Sequence, residues 1–221
     1  MEKSSQSDAH HTCSDRRWCR ESYQGTPSGV PQAANEKEPA LAAAVAIPIR
    51  NSDPSRAVAG ARTFFVTSSI AEKRNLLQSD RSAELFVRVL YDYRAQGRFR
   101  LHEFVVIPDH FHLLLTVGCE LTVERAMQFI KGGFAFRAGR ELGFRAPVWQ
   151  KGFSEVRILD SVAYQRVVEY IRNNPVARHL VCEAPEFLYS SAHAGFELDV
   201  PPQGLKPVLR GVADGMAKAM P

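Results

Sequence analysis

The sequence predicts an α+β fold, in which one antiparallel sheet packs against helices. Four short runs rich in β-branched, aromatic and aliphatic residues alternate with longer segments whose apolar residues recur every three or four positions. Two of the short runs are separated only by Pro108-Asp109, and so short a connection indicates an antiparallel hairpin. The resulting order of elements is β-α-β-β-α-β-α.

The helices are predicted from their capping residues. Ser79 or Asp80 caps the first helix and Gly97 ends it. The third helix must stop near Asn174, because Pro175 disfavours helical geometry in the residue before it. The predicted strands are 63–68, 98–107, 110–117 and 155–159, and the predicted helices are 81–96, 122–142 and 161–174.

The first six elements follow the ferredoxin-like order. In that fold two helices cover one face of the sheet and leave the other face free for a ligand. The segments outside this core have little apolar periodicity. We therefore predict a disordered leader at 1–60, a single domain at 61–195 and a flexible tail at 196–221.

The amino-acid composition limits which classes of protein are compatible with this sequence. The formal charge is +4, which permits nucleic-acid binding without establishing it. The four cysteines form no CxxC pair, so we expect reduced thiols, no disulfide framework and a cytoplasmic protein. No run approaches the roughly 20 apolar residues of a membrane helix, so no membrane partner is expected.

His110 and His112 lie two residues apart in the third predicted strand. Side chains alternate between the faces of a strand, so both imidazoles share one face while Phe111 points to the other. Their separation of roughly 6 to 7 Å along the strand would let both bind one metal ion. The alternative is two histidines without function on a half-exposed strand.

The last predicted helix carries a polar stripe. Arg166, Tyr170 and Asn174 are spaced four residues apart, beside the apolar positions Val167 and Ile171. A tyrosine on the polar side is not needed for the core. The alternatives are a boundary tyrosine with a solvated hydroxyl and an asparagine that only caps the helix.

Basic residues concentrate between Leu121 and Arg157, and any one of them has the alternative role of a solvated helix face. Several could contact DNA phosphates, and Trp149, with Phe144 and Phe153, could stack on unpaired bases. The predicted DNA-binding set is Arg125, Lys131, Arg137, Arg140, Trp149, Lys151 and Arg166.

The segments VVIPDHFHLLLTV, VWQKGFSEVRI and YQRVVEYIRNNPVARHLV, in this order, resemble the REP-associated tyrosine transposases of the HUH class (His, hydrophobic, His). The resemblance covers about residues 61 to 192. It implies a ferredoxin-like HUH core, a divalent metal, Mg²⁺ or Mn²⁺, and single-stranded DNA substrates that carry hairpins. It leaves open whether the protein acts as a monomer or a homodimer.

The resemblance also implies roles for individual residues. His110 and His112 correspond to the metal ligands, Tyr170 to the nucleophile and Asn174 to a third polar ligand. A metal would offset charge on the attacked phosphate, and either the metal or Arg166 would supply the field that activates the phenol. The product would be a 5′-phosphotyrosine and a free 3′-hydroxyl, so that rejoining needs no ATP.

Three other functions are compatible with parts of this pattern. A non-catalytic nucleic-acid module shares the open sheet, but the exposed aromatics of RNA-recognition domains are missing. A phosphoesterase that uses water would need more carboxylate ligands than accompany the two histidines. A domesticated transposase that binds hairpins without moving DNA would have less need of an intact tyrosine.

Overall fold

The computed structural model describes residues 60–203 and 205, and the predicted leader lies outside them except for Gly60. The strands and helices of these residues follow the predicted order. The strands are β1 (Arg62–Ser69), β2 (Arg100–Ile107), β3 (His110–Val117) and β4 (Ser154–Ile158), and the helices are α1 (Asp80–Ala95), α2 (Val123–Glu141) and α3 (Ser161–Ala177). Two short 3₁₀ helices lie at Ala71–Lys73 and Ala184–Glu186. No helix in this part of the chain is long and apolar enough to span a membrane.

The four strands form one antiparallel sheet in the order β2-β3-β1-β4. This order confirms the predicted ferredoxin-like α+β fold. Strands β3 and β1 occupy the centre, with Thr67 opposite His112 and Ser69 opposite His110. The two histidines and the end of β1 therefore share one face at one end of the sheet.

Helices α1 and α2 cover the face that carries Phe111. The Phe111 ring packs 4.6 Å from that of Phe86 in α1, and Phe86 packs in turn against Phe134 of α2. Phe86, Phe111 and Phe134 are fully buried. This face holds the main hydrophobic core.

The opposite face is not free, and that part of the prediction is wrong. Helix α3 lies across it, with Tyr164 against His102 of β2 and Tyr170 against His112 of β3. Val167 and Ile171 are buried in this contact. The apolar stripe of α3 needed a partner, and the second sheet face supplies it.

Helix α3 also runs past its predicted end. It continues through the buried Pro175 to Ala177. Proline lacks only its own N–H, and the carbonyls of Asn174 and Pro175 still accept hydrogen bonds from Arg178 and Leu180. Asn174 therefore lies inside the last turn and does not cap the helix.

The segment after α3 returns along the outer edge of β2. The amide of Val106 donates to Tyr189 and that of Ser191 donates to Phe104, so the edge of the sheet is paired. The contacts extend into the predicted tail, because Asp199 binds Arg94 at 2.8 Å.

The cysteines differ from expectation at one position. Cys182 is disulfide-bonded, so the prediction of reduced thiols is wrong for this residue. Cys119 is a free, exposed thiol. Cys13 and Cys19 lie outside the described residues. A sequence pattern without CxxC pairs does not exclude a bond between distant cysteines.

Candidate metal and tyrosine site

His110 and His112 converge beneath α3. Their Nε2 atoms lie 3.2 Å apart, and each residue is only 1% exposed. The strand places both on the same face as predicted, but the half-exposed alternative is excluded by their burial. Buried imidazoles need polar partners, and each ring has one at its other nitrogen.

Asp109 orients His110. Its carboxylate Oδ1 accepts a hydrogen bond from His110 Nδ1 at 2.6 Å. Burial opposes ionisation of Asp109, but the His110 bond and the positive charges of Lys73 and Arg178 lower its pKa to about 2. The ionised carboxylate can only accept, so Nδ1 carries a hydrogen and Nε2 is left to face His112.

Thr67 holds the second imidazole. Its hydroxyl lies 2.7 Å from His112 Nδ1, and the ring of Phe65 stacks on the imidazole at 5.5 Å. The pKa of His112 lies well below its ordinary value, mainly because the ring is buried and also because His110 and Arg178 are nearby. His112 is therefore neutral, and Nε2 is the nitrogen that faces His110 and α3.

Tyr170 completes the cluster from α3. Its hydroxyl lies 3.4 Å from His112 Nε2, and its ring contacts both His112 and Phe65 edge-on. The half-buried side chain thus places its oxygen beside the His112 nitrogen that faces His110. All of these groups belong to one chain.

Asn174 follows Tyr170 by one helical turn and is 4% exposed. Its amide oxygen is buried without a hydrogen-bond partner. A buried acceptor of this kind costs free energy unless it gains a donor or a cation. Arg166, at the other end of the predicted stripe, is exposed. Lys73 and Arg178, with His110, are the positive charges that lower the pKa of Asp109.

The donor set fits a divalent metal. Two nitrogen ligands that each lie about 2.1 Å from one metal are roughly 3 Å apart at an octahedral angle and roughly 3.4 Å apart at a tetrahedral angle. The 3.2 Å between the Nε2 atoms falls in this range. No group of three or more His, Cys, Asp or Glu residues suited to a metal occurs in the described chain, so most coordination positions would be left to Asn174, water and substrate.

The predicted DNA-binding residues do not form one patch with the histidines. Arg125, Lys131, Arg137 and Arg140 lie on α2, on the far side of the sheet. Arg137 binds Asp92 and Glu141.

The predicted DNA-binding residues near the loop before β4 also have contacts within the protein. Lys131 donates to the carbonyls of Gln150 and Gly152, and the Trp149 ring packs against Phe111 and Phe134. Lys151 and Arg166 are exposed. For Lys131 and Trp149, packing accounts for the side chain without DNA.

Sequence reasoning missed Asp109, Thr67, Phe65, Lys73 and Arg178 at this site. The role of Asp109 could have been predicted from the sequence, because an acidic residue next to a candidate metal ligand often orients that ligand. The role of Thr67 could not have been predicted, because its partner His112 is 45 residues away in the chain and only the strand register brings the two together.

The family model described as "Transposase IS200 like" matches residues 64–174, half of the chain. The chain belongs to this family.

Individual relatives agree with this assignment. A REP-associated tyrosine transposase of Escherichia coli is 25% identical over 133 residues, 59% of this chain and 76% of the relative. An uncharacterized protein of Haemophilus influenzae is 31% identical over 98 residues, 35% of this chain, and the match spans about half (54%) of that protein.

A solved structure shows the same fold. It is described as a REP-associated tyrosine transposase bound to a REP hairpin. It aligns with a TM-score of 0.52 and 20% identity, over 66% of this chain and 92% of the other. The predicted resemblance to REP-associated tyrosine transposases is confirmed.

Proposed function

We propose that this chain cleaves and rejoins single-stranded DNA as a transposase, through a covalent bond between Tyr170 and a 5′-phosphate. The observation that carries the proposal is the position of His112 Nε2, which lies 3.4 Å from the Tyr170 hydroxyl and 3.2 Å from His110 Nε2. Family membership and the hairpin DNA bound by the structural relative support the substrate class.

His110 and His112, with Asn174, would hold a divalent metal, Mg²⁺ or Mn²⁺. When bound, such an ion neutralises charge on the phosphate oxygens. Asp109 and Thr67 keep the two imidazoles in position. The protein's other contribution is to hold the Tyr170 oxygen beside the phosphorus, which converts the attack into an intramolecular step.

The chemistry balances without an added co-reactant. The Tyr170 oxygen forms a bond to phosphorus and gives up its proton, while the bond from phosphorus to the 3′-oxygen breaks and that oxygen takes up a proton. A 3′-hydroxyl from another strand reverses the step. The number of phosphoester bonds is conserved, so joining needs no nucleotide triphosphate.

A denaturing gel tests the proposal. Labelled single-stranded DNA carrying the hairpins that flank the gene is incubated with the protein and Mn²⁺ or Mg²⁺. We expect a covalent protein–DNA band that requires metal and disappears in Tyr170→Phe. The matched control is Tyr164→Phe, the same change on the same helix, where the ring packs on His102 away from the metal ligands.

Two other results would contradict the proposal and favour a different function. DNA binding without any covalent product would favour a binding module. A cleaved product without an adduct, unaffected by Tyr170→Phe, would favour a nuclease that uses water.

A further inference from the structure

The turn that follows β1 has a strained backbone. Glu72 and Lys73 have φ angles of 59° and 53°, so two successive residues with side chains adopt left-handed geometry. This region favours glycine, and other residues stay in it only when surrounding contacts hold them there. Strain of this kind is often retained at functional sites.

The contacts that hold the turn connect it to the histidine end of the sheet. The amide of Ile70 donates to the carbonyl of Asp109 at 2.8 Å, and that of Ala71 donates to Val148 at 3.0 Å. Ile70 and Ala71 are both buried. The turn is thus fixed to the residue directly before His110.

This geometry sets the Lys73 ammonium beside Ser69, which lies opposite His110 in the sheet, and near Asp109. Nζ lies 3.2 Å from the Ser69 hydroxyl and 3.7 Å from an Asp109 oxygen, and the side chain is 51% exposed. The longer distance exceeds a hydrogen bond, so at least one of the three ammonium donors points to solvent.

We propose that Lys73 binds the phosphate that Tyr170 attacks, which makes it a further catalytic residue. The inference rests on the proposed function. The ammonium donates a hydrogen bond to a non-bridging phosphate oxygen and offsets the charge that develops there, and it keeps its proton throughout. The strained turn holds this cation at the end of the sheet that carries His110.

Two simpler roles compete with this proposal. Lys73 could be an ordinary surface cation, and the 3.7 Å pair with Asp109 alone would matter little. It could instead support Asp109 and thereby the metal ligands. The three roles differ in their effect on stability, metal affinity and reaction rate.

Substitution by glycine separates these effects, because glycine relieves the left-handed strain. We expect Lys73→Gly to unfold at a higher temperature than wild type, yet to form the adduct about 100-fold more slowly at saturating DNA. Its affinity for Mn²⁺ should stay at the wild-type value. Lys73→Arg, which keeps the charge, should recover part of the rate.

Glu72→Gly is the matched control, since it relieves the same strain one residue earlier. It should be stabilised similarly and keep the wild-type adduct rate. An unchanged rate in Lys73→Gly would overturn the proposal, and so would a loss of Mn²⁺ affinity as large as the loss of rate. If wild type forms no adduct, or Tyr170→Phe still forms one, the proposed function itself fails and this role fails with it.

Discussion

Thr67 and Asp109 each bond the Nδ1 atom of one histidine and thereby leave the two Nε2 atoms facing each other. Two ring nitrogens at 3.2 Å repel each other when neither carries a hydrogen, and a cation between them removes that repulsion. Under the proposed function, the polar neighbours would therefore prepare the two imidazoles to bind the metal. Their effect should be measurable without DNA.

Thr67→Val and Asp109→Asn should each weaken Mn²⁺ binding by about 10- to 100-fold, the usual effect of removing a residue that orients a ligand. Thr63→Val is the matched control, because Thr63 lies on the same face of β1 but bonds Thr116. Calorimetric titration or the electron-spin resonance of free Mn²⁺ measures the affinity. Equal affinities in Thr67→Val and Thr63→Val would contradict this account.

Helix α2 contains two adjacent glycines with different surroundings. A Cβ on Gly133 would lie 2.6 Å from the ring of Tyr93 in α1, whereas one on Gly132 would meet nothing within 4 Å. Gly133 therefore permits the close contact of the two helices. Gly132 only weakens the helix, because glycine has low helix propensity.

Alanine substitutions should separate the two positions. Gly132→Ala should stabilise the protein by about 0.5–1 kcal/mol through helix propensity. Gly133→Ala should instead destabilise it by about 1 kcal/mol, since displacement of the Tyr93 ring outweighs the same gain. Urea unfolding of both variants gives the difference, and equal stabilities would show that Tyr93 moves aside freely.

The elements were more predictable than their packing. β3 has its predicted bounds because a Pro-Asp turn precedes it and Gly118 follows it. α3 was predicted too short because the rule about the residue before proline describes a preference that a buried last turn overrides. The burial of the two histidines could not be predicted, because it depends on which face α3 covers.

For the molecule as a whole, Asp199 ties the end of the described chain to the sheet. It binds Arg94 and accepts a hydrogen bond from the amide of Leu101 at 2.7 Å. Burial raises its pKa, but these two bonds outweigh burial, and the net pKa is lowered. The ionised form therefore stabilises the folded state above the unfolded-state pKa of about 3.9, and this stabilisation is lost as pH falls through the lower folded-state value.

Asp199→Asn should consequently be less stable than wild type at pH 7, by about 1–3 kcal/mol for a charged hydrogen bond. The gap should close as the pH falls below 4. Thermal unfolding of both proteins at pH 7, 5 and 3 measures it. Glu197→Gln, an exposed change two residues earlier, should track wild type throughout, and a constant gap for Asp199→Asn would refute the linkage.

The burial of His110 and His112 has a kinetic consequence. Each is 1% exposed beneath α3, so under the proposed function the helix would have to move before DNA reached the metal ligands. The pair between Arg172 of α3 and the buried Glu103 of β2, at 2.6 Å, resists that movement. Arg172→Met should therefore speed amide hydrogen exchange in α3 relative to α1. If the proposed function holds, helix opening on a time scale of about microseconds to milliseconds would set an upper limit on the rate at which DNA reaches the site.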